Sequence, residues 1–315
     1  MAFRAPVAGR DYPQSARQLF AWFSDDAAVA TWLERVRWRD GFRCPKCGCA
    51  QWRAFASQGA GARRCDGCRK LVTPSVGTVL AKARVPLTTW MEVGWAMSTS
   101  ATGISGLAME RSHGISHEHA WTLLHRYREA MHRQVSTVEL HGGVEVDETY
   151  IGGKRTGSGK RGRTPGQKEC VLVAVERRKA GRVRMHRTLD ARAVSLLPVV
   201  QQTVRPGALV LTDGHGGYNQ LAALGYRHRP VSVRGSTAPA HLLLPVIHRV
   251  AALVKRWLLG THQRPPSPKH LDHYLAEFCF RYNHRTARNR GLVFYRLIEA
   301  ALSCPPTTFA AITSR

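Results

Sequence analysis

Four cysteines in two closely spaced pairs are the residues of this sequence whose spacing most directly predicts chemistry. The two pairs share the spacing Cys-x-x-Cys: Cys44 and Cys47, then Cys65 and Cys68. Two such pairs can close a tetrahedron of thiolates around Zn²⁺ and leave no coordination position for a substrate. We therefore predict a zinc ribbon over residues 42–80, whose metal stabilises the fold and takes no part in catalysis. Free thiols and a redox pair are the alternatives, and Cys49 is a spare thiol beside the first pair.

Two aspartates in strand-like segments are the second set of candidates, because acids are scarce: 21 Asp and Glu stand against 47 Lys and Arg. Asp147 lies inside the alternating segment 144–150, where a charge costs stability unless it is paired or bound. Asp213 ends the apolar run 209–213, before a Gly-rich turn. Carboxylates on adjacent strands can bind Mg²⁺, and such ions support phosphoryl transfer. In the alternative interpretation, Asp213 starts the turn and Asp147 pairs with an arginine.

Charge and composition indicate the partner and the compartment. The formal net charge is +26 and the isoelectric point is near 10.8, so a polyanion, most simply nucleic acid, is the expected partner. The sequence has no apolar run of about 18 residues, and its N-terminus lacks the apolar core of a signal peptide. We therefore expect a cytoplasmic, nucleoid-associated protein without a membrane partner. Packed thiols are expected at the scattered cysteines, which are Cys170, Cys279 and Cys304.

The elements that must position these residues follow from hydrophobic periodicity. Residues 15–41 and 86–134 show the helical spacing of apolar residues. Within the second segment, residues 112–116 separate two helices, which is the outline of a helix-turn-helix and equally that of an ordinary helical hairpin. Residues 142–300 follow the pattern of a mixed α/β domain. Its strands are predicted at 144–150, 171–176, 182–189 and 209–213, and its helices at 193–204, 246–259 and 268–283.

A Gly-rich basic segment, residues 152–168, holds six Lys or Arg and no acid. We expect it to add non-specific DNA affinity, because a flexible chain cannot hold a base-reading geometry. A predicted helix further along the chain offers two more basic residues, which solvated surface charge explains equally well. The residues expected to contact DNA are Lys154, Arg155, Lys160, Arg161 and Arg163 from the segment, and Lys255 and Arg256 from the helix.

Six motifs together resemble those of a known family. They are RWRDGFRCPKCG (37–48), SVGTVL (75–80), VDETYIGGK (146–154), TDGHGGYNQL (212–221), HRVAALVKRWLLGTH (248–262) and HLDHYLAEFCFRYNHR (270–285). On these motifs, the chain resembles bacterial insertion-sequence transposases of the ISXO type. The resemblance implies a multi-domain protein with an N-terminal helical segment, a zinc ribbon, a helical helix-turn-helix-like middle and a C-terminal mixed α/β, RNase H-like DDE domain. The corresponding ranges are 15–41, 42–80, 86–134 and 142–300.

The resemblance also implies the ligands of the catalytic metal. The family's first metal acid falls on Asp147 and its second on Asp213, which would hold Mg²⁺ or Mn²⁺. The third ligand, a polar helix residue in the family, falls on Leu253, which cannot bind a metal. No Asp or Glu lies between Asp213 and Asp272, and His248 is one substitute. The acids that remain for this role are Glu148, Asp272, Glu277 and Glu299.

Two functions follow from the resemblance. In the first, the chain is the DNA transposase of an insertion sequence: it binds double-stranded element ends and target DNA, forms a homo-oligomer on DNA, and catalyses metal-dependent strand cleavage and strand transfer. In the second, it is a catalytically decayed or repurposed copy that binds DNA through the zinc ribbon without cutting it. A regulator with an unrelated basic domain is a third class, but such a protein has no need of paired strand acids.

Overall fold

The structure is a computed structural model that describes residues 5–55, 57, 59, 61–81, 84–152, 168–231, 243–263 and 266–314. The chain divides into two compact units. The first comprises Met1–Arg133 together with Ala287–Arg315, and the second comprises Gln134–Thr286. In the described part of the chain, no helix combines the length and the apolar character that crossing a membrane requires.

Two short helices open the first unit. α1 spans Ala16–Trp22 and α2 spans Asp26–Arg37. α2 begins where the Asp25 side chain accepts the backbone N–H of Ala28 at 2.8 Å, which satisfies one of the free donors at the helix start. The fully buried Trp32 lies on its inner face. The helical periodicity read from this part of the sequence is therefore confirmed.

Three short strands form the sheet of the cysteine-rich segment. β1 (Trp52–Ala54), β2 (Arg63–Cys65) and β3 (Leu71–Val72) pair antiparallel in that order. Strands of this length bury little apolar surface, so a segment of this size needs a further crosslink to be stable. Its buried cluster consists of Phe42, Cys44, Cys65 and Val72.

Three helices follow the ribbon: α3 (Leu87–Thr99), α4 (Gly106–His113) and α5 (His117–Ser136). Gly114 ends α4 with a φ of 61°, a left-handed conformation that glycine adopts without strain. Because α5 begins three residues later, a helix, a short turn and a second helix lie where the sequence predicts them. The DNA-binding role of this helix pair stays a prediction.

A five-stranded mixed sheet forms the centre of the second unit. β6, β5 and β4 are antiparallel neighbours, whereas β7 and β8 run parallel to β4, in the order β6-β5-β4-β7-β8. The first four strands confirm the sequence predictions. The pattern does not reveal β8, because its polar residues lie at the exposed edge of the sheet. The strands are β4 (Gly143–Ile151), β5 (Glu169–Glu176), β6 (Val183–Thr188), β7 (Leu209–Thr212) and β8 (Arg227–Pro230).

Helices cover both faces of this sheet: α6 (Ala193–Thr203), α7 (Pro245–His262) and α8 (Pro268–Asn283). α6 packs on the face that carries Val144, within the main buried cluster of the unit. α7 contacts β4 and β5, and α8 contacts β6. Since strand side chains alternate between faces, Glu145 points to the opposite face, where it meets α7.

The helix that follows the second unit belongs to the first. α9 (Arg290–Ser303) packs against α2 and α3, and α10 (Phe309–Thr313) ends the described chain. Phe294 of α9 stacks on Trp32 with ring centroids 5.8 Å apart. The predicted range 142–300 extends into α9, because periodicity indicates a helix but not the core that the helix joins.

Candidate functional site

The four paired cysteines lie together. The Sγ–Sγ distance is 3.7 Å between Cys44 and Cys68 and 3.6 Å between Cys47 and Cys65, and all four sulfurs lie within 4.8 Å of one another. Sulfurs at about 2.3 Å from a central Zn²⁺ are about 3.8 Å apart at the corners of a tetrahedron. The donor set therefore fits a structural zinc ion, which would supply the crosslink that the short strands need.

The surroundings of Cys44 favour the thiolate form that binds metal. Burial opposes ionisation of this thiol, but the backbone N–H groups of Cys47 and Lys46 and the neighbouring thiols outweigh burial and lower its pKa to about 6. The spare thiol is not one of the four clustered sulfurs. Cys49 Sγ lies 3.2 Å from Gln51 Oε1.

We expect the purified protein to contain one equivalent of zinc, and Cys65→Ser to lose that zinc and unfold the ribbon, because such sites supply folding free energy directly. Metal analysis and thermal unfolding measure the two effects. Cys49→Ser is the matched control and should keep its zinc. A zinc-free wild-type protein, or a full complement of zinc in Cys65→Ser, would contradict the prediction.

Arg63 joins the ribbon to α2 and is engaged within the protein. Its guanidinium lies 3.7 Å from the centre of the Trp52 ring, and its Nη2 lies 2.6 Å from Glu34 Oε2. Arg53 and Arg64, by contrast, stand directly opposite each other on β1 and β2, and both are exposed. Like charges in this position repel, so this face suits an anionic partner.

The sheet register brings the two predicted aspartates side by side. β4 and β7 are parallel, and Glu145 lies opposite Leu211. Continued two residues along the chain, this register brings Asp213, which follows the last residue of β7, to the level of Asp147. Asp147 shares the sheet face of Glu145, because side chains two residues apart on a strand share one face. Both aspartates are half-buried.

Tyr218 provides independent evidence that the acids are close together. Its buried hydroxyl donates to Glu148 Oε2 at 3.1 Å. Burial, followed by the negative charges of Glu148, Asp147 and Asp213, raises the pKa of Tyr218 well above its ordinary value. The tyrosine therefore keeps its proton beside three carboxylates. Sequence reasoning missed this residue, although it lies in the motif 212–221.

Backbone N–H groups orient one oxygen of each aspartate. Asp147 Oδ1 accepts from the N–H of Glu148 at 2.8 Å, and Asp213 Oδ1 accepts from the N–H of His215 at 2.9 Å. The second of these hydrogen bonds forms the turn that the alternative interpretation predicts at Asp213. Asp213 thus starts the turn and also lies beside Asp147.

A cleft of ≈ 690 Å³ lies next to Asp147. Lys168 and Lys255 contribute positive charge to its lining. Burial, followed by the charge of Lys168, lowers the pKa of Lys255, whereas Asp147 opposes that shift. Lys255 therefore lies within electrostatic range of both groups. The residues of α7 that line the cleft share one helix face: Ile247, His248, Ala251, Ala252 and Lys255.

Comparison with known proteins confirms the resemblance that the sequence motifs indicate. Residues 139–283 match the ISXO2-like transposase domain, and residues 24–71 match the transposase zinc-ribbon domain. The chain is also similar to an uncharacterized protein in transposable element ISH50 of Halobacterium salinarum. The two are 25% identical over 279 residues, which cover 82% of this chain and 91% of the relative.

The zinc-ribbon match starts at residue 24, whereas the sequence analysis begins the ribbon at residue 42. The match therefore includes α2. The ion pair between Arg63 and Glu34 attaches the ribbon sheet to that helix.

Leu253, to which the resemblance gives the third ligand, is not part of the described lining of the cleft. Leu253 lies on α7 with 37% of its surface exposed. Among the described residues, its neighbours Ala251 and Ala252 line the cleft instead. At 3.6 residues per turn, Leu253 lies about 140° around the helix from His248. Leu253 therefore lies on a different side of α7 from the residues that line the cleft.

Two of the substitute ligands line the cleft of the transposase domain, and a third lies far along the sheet. His248 and Glu148 are both part of the cleft lining. Asp272 accepts the N–H of Arg187 at 3.1 Å beside β6. Because β6 is the edge strand on the other side of β4 from β7, Asp272 is not brought to the aspartate pair.

The remaining acids lie in other surroundings. Glu277 is buried in α8, with its Oε1 3.9 Å from Arg281 Nη1. Glu299 belongs to the first unit, where its Oε2 lies 2.7 Å from Arg296 Nη1. Neither residue lines the cleft that the described part of the chain forms beside Asp147.

The predicted DNA contacts fall into two groups. Lys255 lines the cleft, and Arg256 is exposed on α7. The contacts of the basic segment lie outside the described residues: Lys154, Arg155, Lys160, Arg161 and Arg163.

Proposed function

We propose that this chain is the DNA transposase of an insertion sequence. It binds double-stranded element ends and target DNA as a homo-oligomer and catalyses strand cleavage and strand transfer with Mg²⁺ or Mn²⁺. The observation that supports the proposal is the register of β4 and β7: continued past the pair of Glu145 and Leu211, it brings Asp213 to the level of Asp147, which lines a cleft with two lysines. A DNA-binding regulator has no need of such a pair.

We assign an RNase H-like fold to the second unit on the basis of its sheet. Numbered within the unit, the strand order is 3-2-1-4-5, with strands 1 to 3 antiparallel and strands 4 and 5 parallel to strand 1. Strand 1 carries Asp147, and strand 4 ends immediately before Asp213. Two central neighbouring strands thus supply both acids, which supports the fold that the family implies.

Asp147 and Asp213 fit a hard divalent cation. Mg²⁺ prefers oxygen ligands, keeps several waters and takes one or two carboxylates from a protein, and two half-buried aspartates offer that set. Bound there, the ion would stabilise the attacking and leaving oxygens of phosphoryl transfer. The N–H groups of Glu148 and His215 hold the carboxylates in a fixed orientation, so little reorganisation is needed when the ion binds.

The other residues of the cleft act on the DNA strand and on the acids. Lys168 and Lys255 neutralise phosphate charge beside Asp147, which lowers the cost of bringing an anionic backbone to a carboxylate pair. Tyr218 holds Glu148 by a hydrogen bond from its protonated hydroxyl. Glu148 is therefore kept in place beside the metal-binding pair.

The exposed face of the ribbon supplies a DNA contact. Arg64 stands opposite Arg53 across the hairpin, and Asp66 lies 3.1 Å from Arg53. In the described part of the chain, no acid forms an ion pair with Arg64, whose guanidinium lies 4.4 Å from the centre of the Phe55 ring. A phosphate group is the partner that would relieve the repulsion between the two arginines.

We expect DNA affinity to fall linearly with salt on logarithmic axes, and Arg64→Gln to reduce the slope by about 1, because one phosphate contact is lost. The affinity loss should be similar for specific and random DNA. Arg205→Gln removes the same charge from an exposed arginine that pairs with Glu139 and is the matched control. Equal effects of the two changes would remove the ribbon face from the DNA-binding surface.

The lining of the cleft favours a second candidate function, that of a repurposed copy that binds DNA without cutting it. Ala251 and Ala252 occupy the part of α7 that faces the cleft, and neither side chain has an atom that binds a metal. Among the α7 residues that line the cleft in the described part of the chain, His248 is the one whose ring nitrogens can bind a metal. Two carboxylates with a weak third ligand predict low activity.

Strand cleavage of DNA that bears the element ends, assayed in Mg²⁺ and in Mn²⁺, tests both candidates. Metal-dependent nicking at the element ends supports the transposase. Specific end binding without nicking in either metal supports the repurposed copy. Absence of both end binding and nicking would rule out both functions.

A further inference from the structure

Glu145 is a fully buried acid whose role the metal site does not explain. Its side chain has no exposed surface, and its Oε2 accepts the backbone N–H of Ile247 at 2.8 Å. Arg177 Nε lies 3.2 Å from Oε1 and balances its charge. A β4 side chain therefore binds the first turn of α7, more than a hundred residues further along the chain.

The first turn of α7 needs this carboxylate because it has no acceptor of its own. Leu244 stands at the N-cap and has no side-chain oxygen, and Pro245 has no N–H. The N–H of Ile247, a buried residue, would lack a partner without Glu145, at a cost that native structures rarely accept. Glu145 takes the place of the missing cap.

The position of Glu145 links this cap to the aspartate pair. Glu145 and Asp147 are two residues apart on β4 and share one face of the sheet. The residues that follow the capped turn on α7, among them His248 and Ala252, line the cleft beside Asp147. Glu145 therefore ties the start of α7 to the strand that carries Asp147.

We propose that Glu145 is a positioning residue, which fixes the cleft face of α7 against β4 at the register that phosphoryl transfer requires. This inference rests on the proposed function, because it assigns a purpose to the spacing between α7 and Asp147. A purely structural acid would stabilise the unit without a specific effect on α7. The two roles differ in what α7 does when the carboxylate is removed.

Glu176 provides the comparison. It is fully buried on the neighbouring strand β5, opposite Val144 in the register. Its carboxylate accepts from the N–H of His141 and from Arg178 and Arg182. It is a buried, arginine-paired acid like Glu145, but its hydrogen-bond partners among the described residues lie near the start of β4 and after β5, not in α7.

The experiment compares Glu145→Ala, Glu145→Gln and Glu176→Ala in the full chain by hydrogen exchange. We expect Glu145→Ala to speed exchange of the Ile247 amide in the first turn of α7 by about tenfold, since this amide loses its acceptor. Glu145→Gln keeps one acceptor oxygen and should recover most of the protection. Glu176→Ala should lower the melting temperature and leave α7 protected. If Glu145→Ala does not fold, Glu145→Asp, whose carboxylate reaches less far, should show the same loss at α7.

A second readout uses Mn²⁺ affinity without turnover. Ala252→Glu places a carboxylate on the cleft face of α7 and should tighten Mn²⁺ binding. We expect Glu145→Ala to remove that gain, and Glu145→Gln and Glu176→Ala to keep it, because residues that share a geometry show coupled effects. Unchanged α7 protection in Glu145→Ala, or equal loss of the gain in Glu176→Ala, would overturn the positioning role. Mn²⁺ binding that is independent of Asp147 would instead overturn the proposed function, and the exchange result would still decide the role of Glu145.

Discussion

Asp147→Asn and Asp213→Asn each abolish DNA strand cleavage, with an expected loss of at least about 10³-fold in rate, or about 4 kcal/mol of transition-state stabilisation. Each change replaces one of the two carboxylates that the β4–β7 register sets side by side, and an amide is a poor substitute for a carboxylate at a hard cation. DNA affinity should stay equal or rise slightly, because a negative charge disappears near bound phosphate. Single-turnover cleavage and binding titrations measure the two effects.

The matched control for this prediction is Asp272→Asn. Asp272 is an aspartate of the same unit that bonds to Arg187 beside the edge strand β6. Its loss should leave the cleavage rate unchanged. Where wild-type cleavage is slow, Asp147→Asn, Asp213→Asn and Asp272→Asn are each measured in the Ala252→Glu variant. Cleavage that persists in Asp147→Asn, or that fails equally in Asp272→Asn, would show that the aspartate pair is not the catalytic centre.

Ala252→Glu raises the rate of strand cleavage, and we expect an increase of about 10- to 100-fold, equivalent to about 1.4–2.7 kcal/mol. Ala252 lies on the face of α7 that lines the cleft beside Asp147 and is exposed enough to accept a longer side chain. A glutamate there adds a third carboxylate toward the same cation, which strengthens the charge stabilisation that two carboxylates supply alone. Cleavage rates at several Mn²⁺ concentrations separate tighter metal binding from faster chemistry.

Leu253→Glu is the matched control, since it adds the same charge one residue along the helix. Leu253 is 37% exposed and lies about 140° around α7 from His248, so its carboxylate should not reach the cleft. We expect no gain in rate from this change. A larger gain at position 253 than at position 252 would restore the ligand position that the family resemblance implies and would mean that α7 turns when DNA binds.

Local patterns were sufficient to predict the zinc site and most elements of the second unit. The two Cys-x-x-Cys pairs predict that their four sulfurs cluster. The geometry of each pair is set within four residues, and two such pairs complete a tetrahedron of sulfurs. The alternation of β4 and the apolar run of β7 likewise predict strands. β8 is the exception, because an exposed edge strand has no buried face to impose alternation.

Tertiary structure decided how these elements meet. Periodicity indicates the helix α9 but not its partner, and aromatic packing of Phe294 on Trp32 places it in the first unit. Tyr218 carries no signal in the sequence, since an isolated tyrosine after a Gly-rich turn is most simply a packed residue. Tyr218 contacts Glu148 because the 3-10 helix Gly216–Leu221 brings the tyrosine beside this residue of β4.

The sequence by itself determined which groups are available for chemistry: four thiols in a ribbon, and two aspartates in strand positions that need a charged partner. Only the tertiary structure decided the geometry of the cleft. The register of β4 and β7, continued past β7, brings Asp213 to the level of Asp147, and the rotation of α7 places Ala252 in the described cleft lining, which does not include Leu253. Glu145 sets that helix against β4 by capping its first turn. Register and helix rotation depend on contacts between residues far apart in the chain, which spacing along the sequence does not encode.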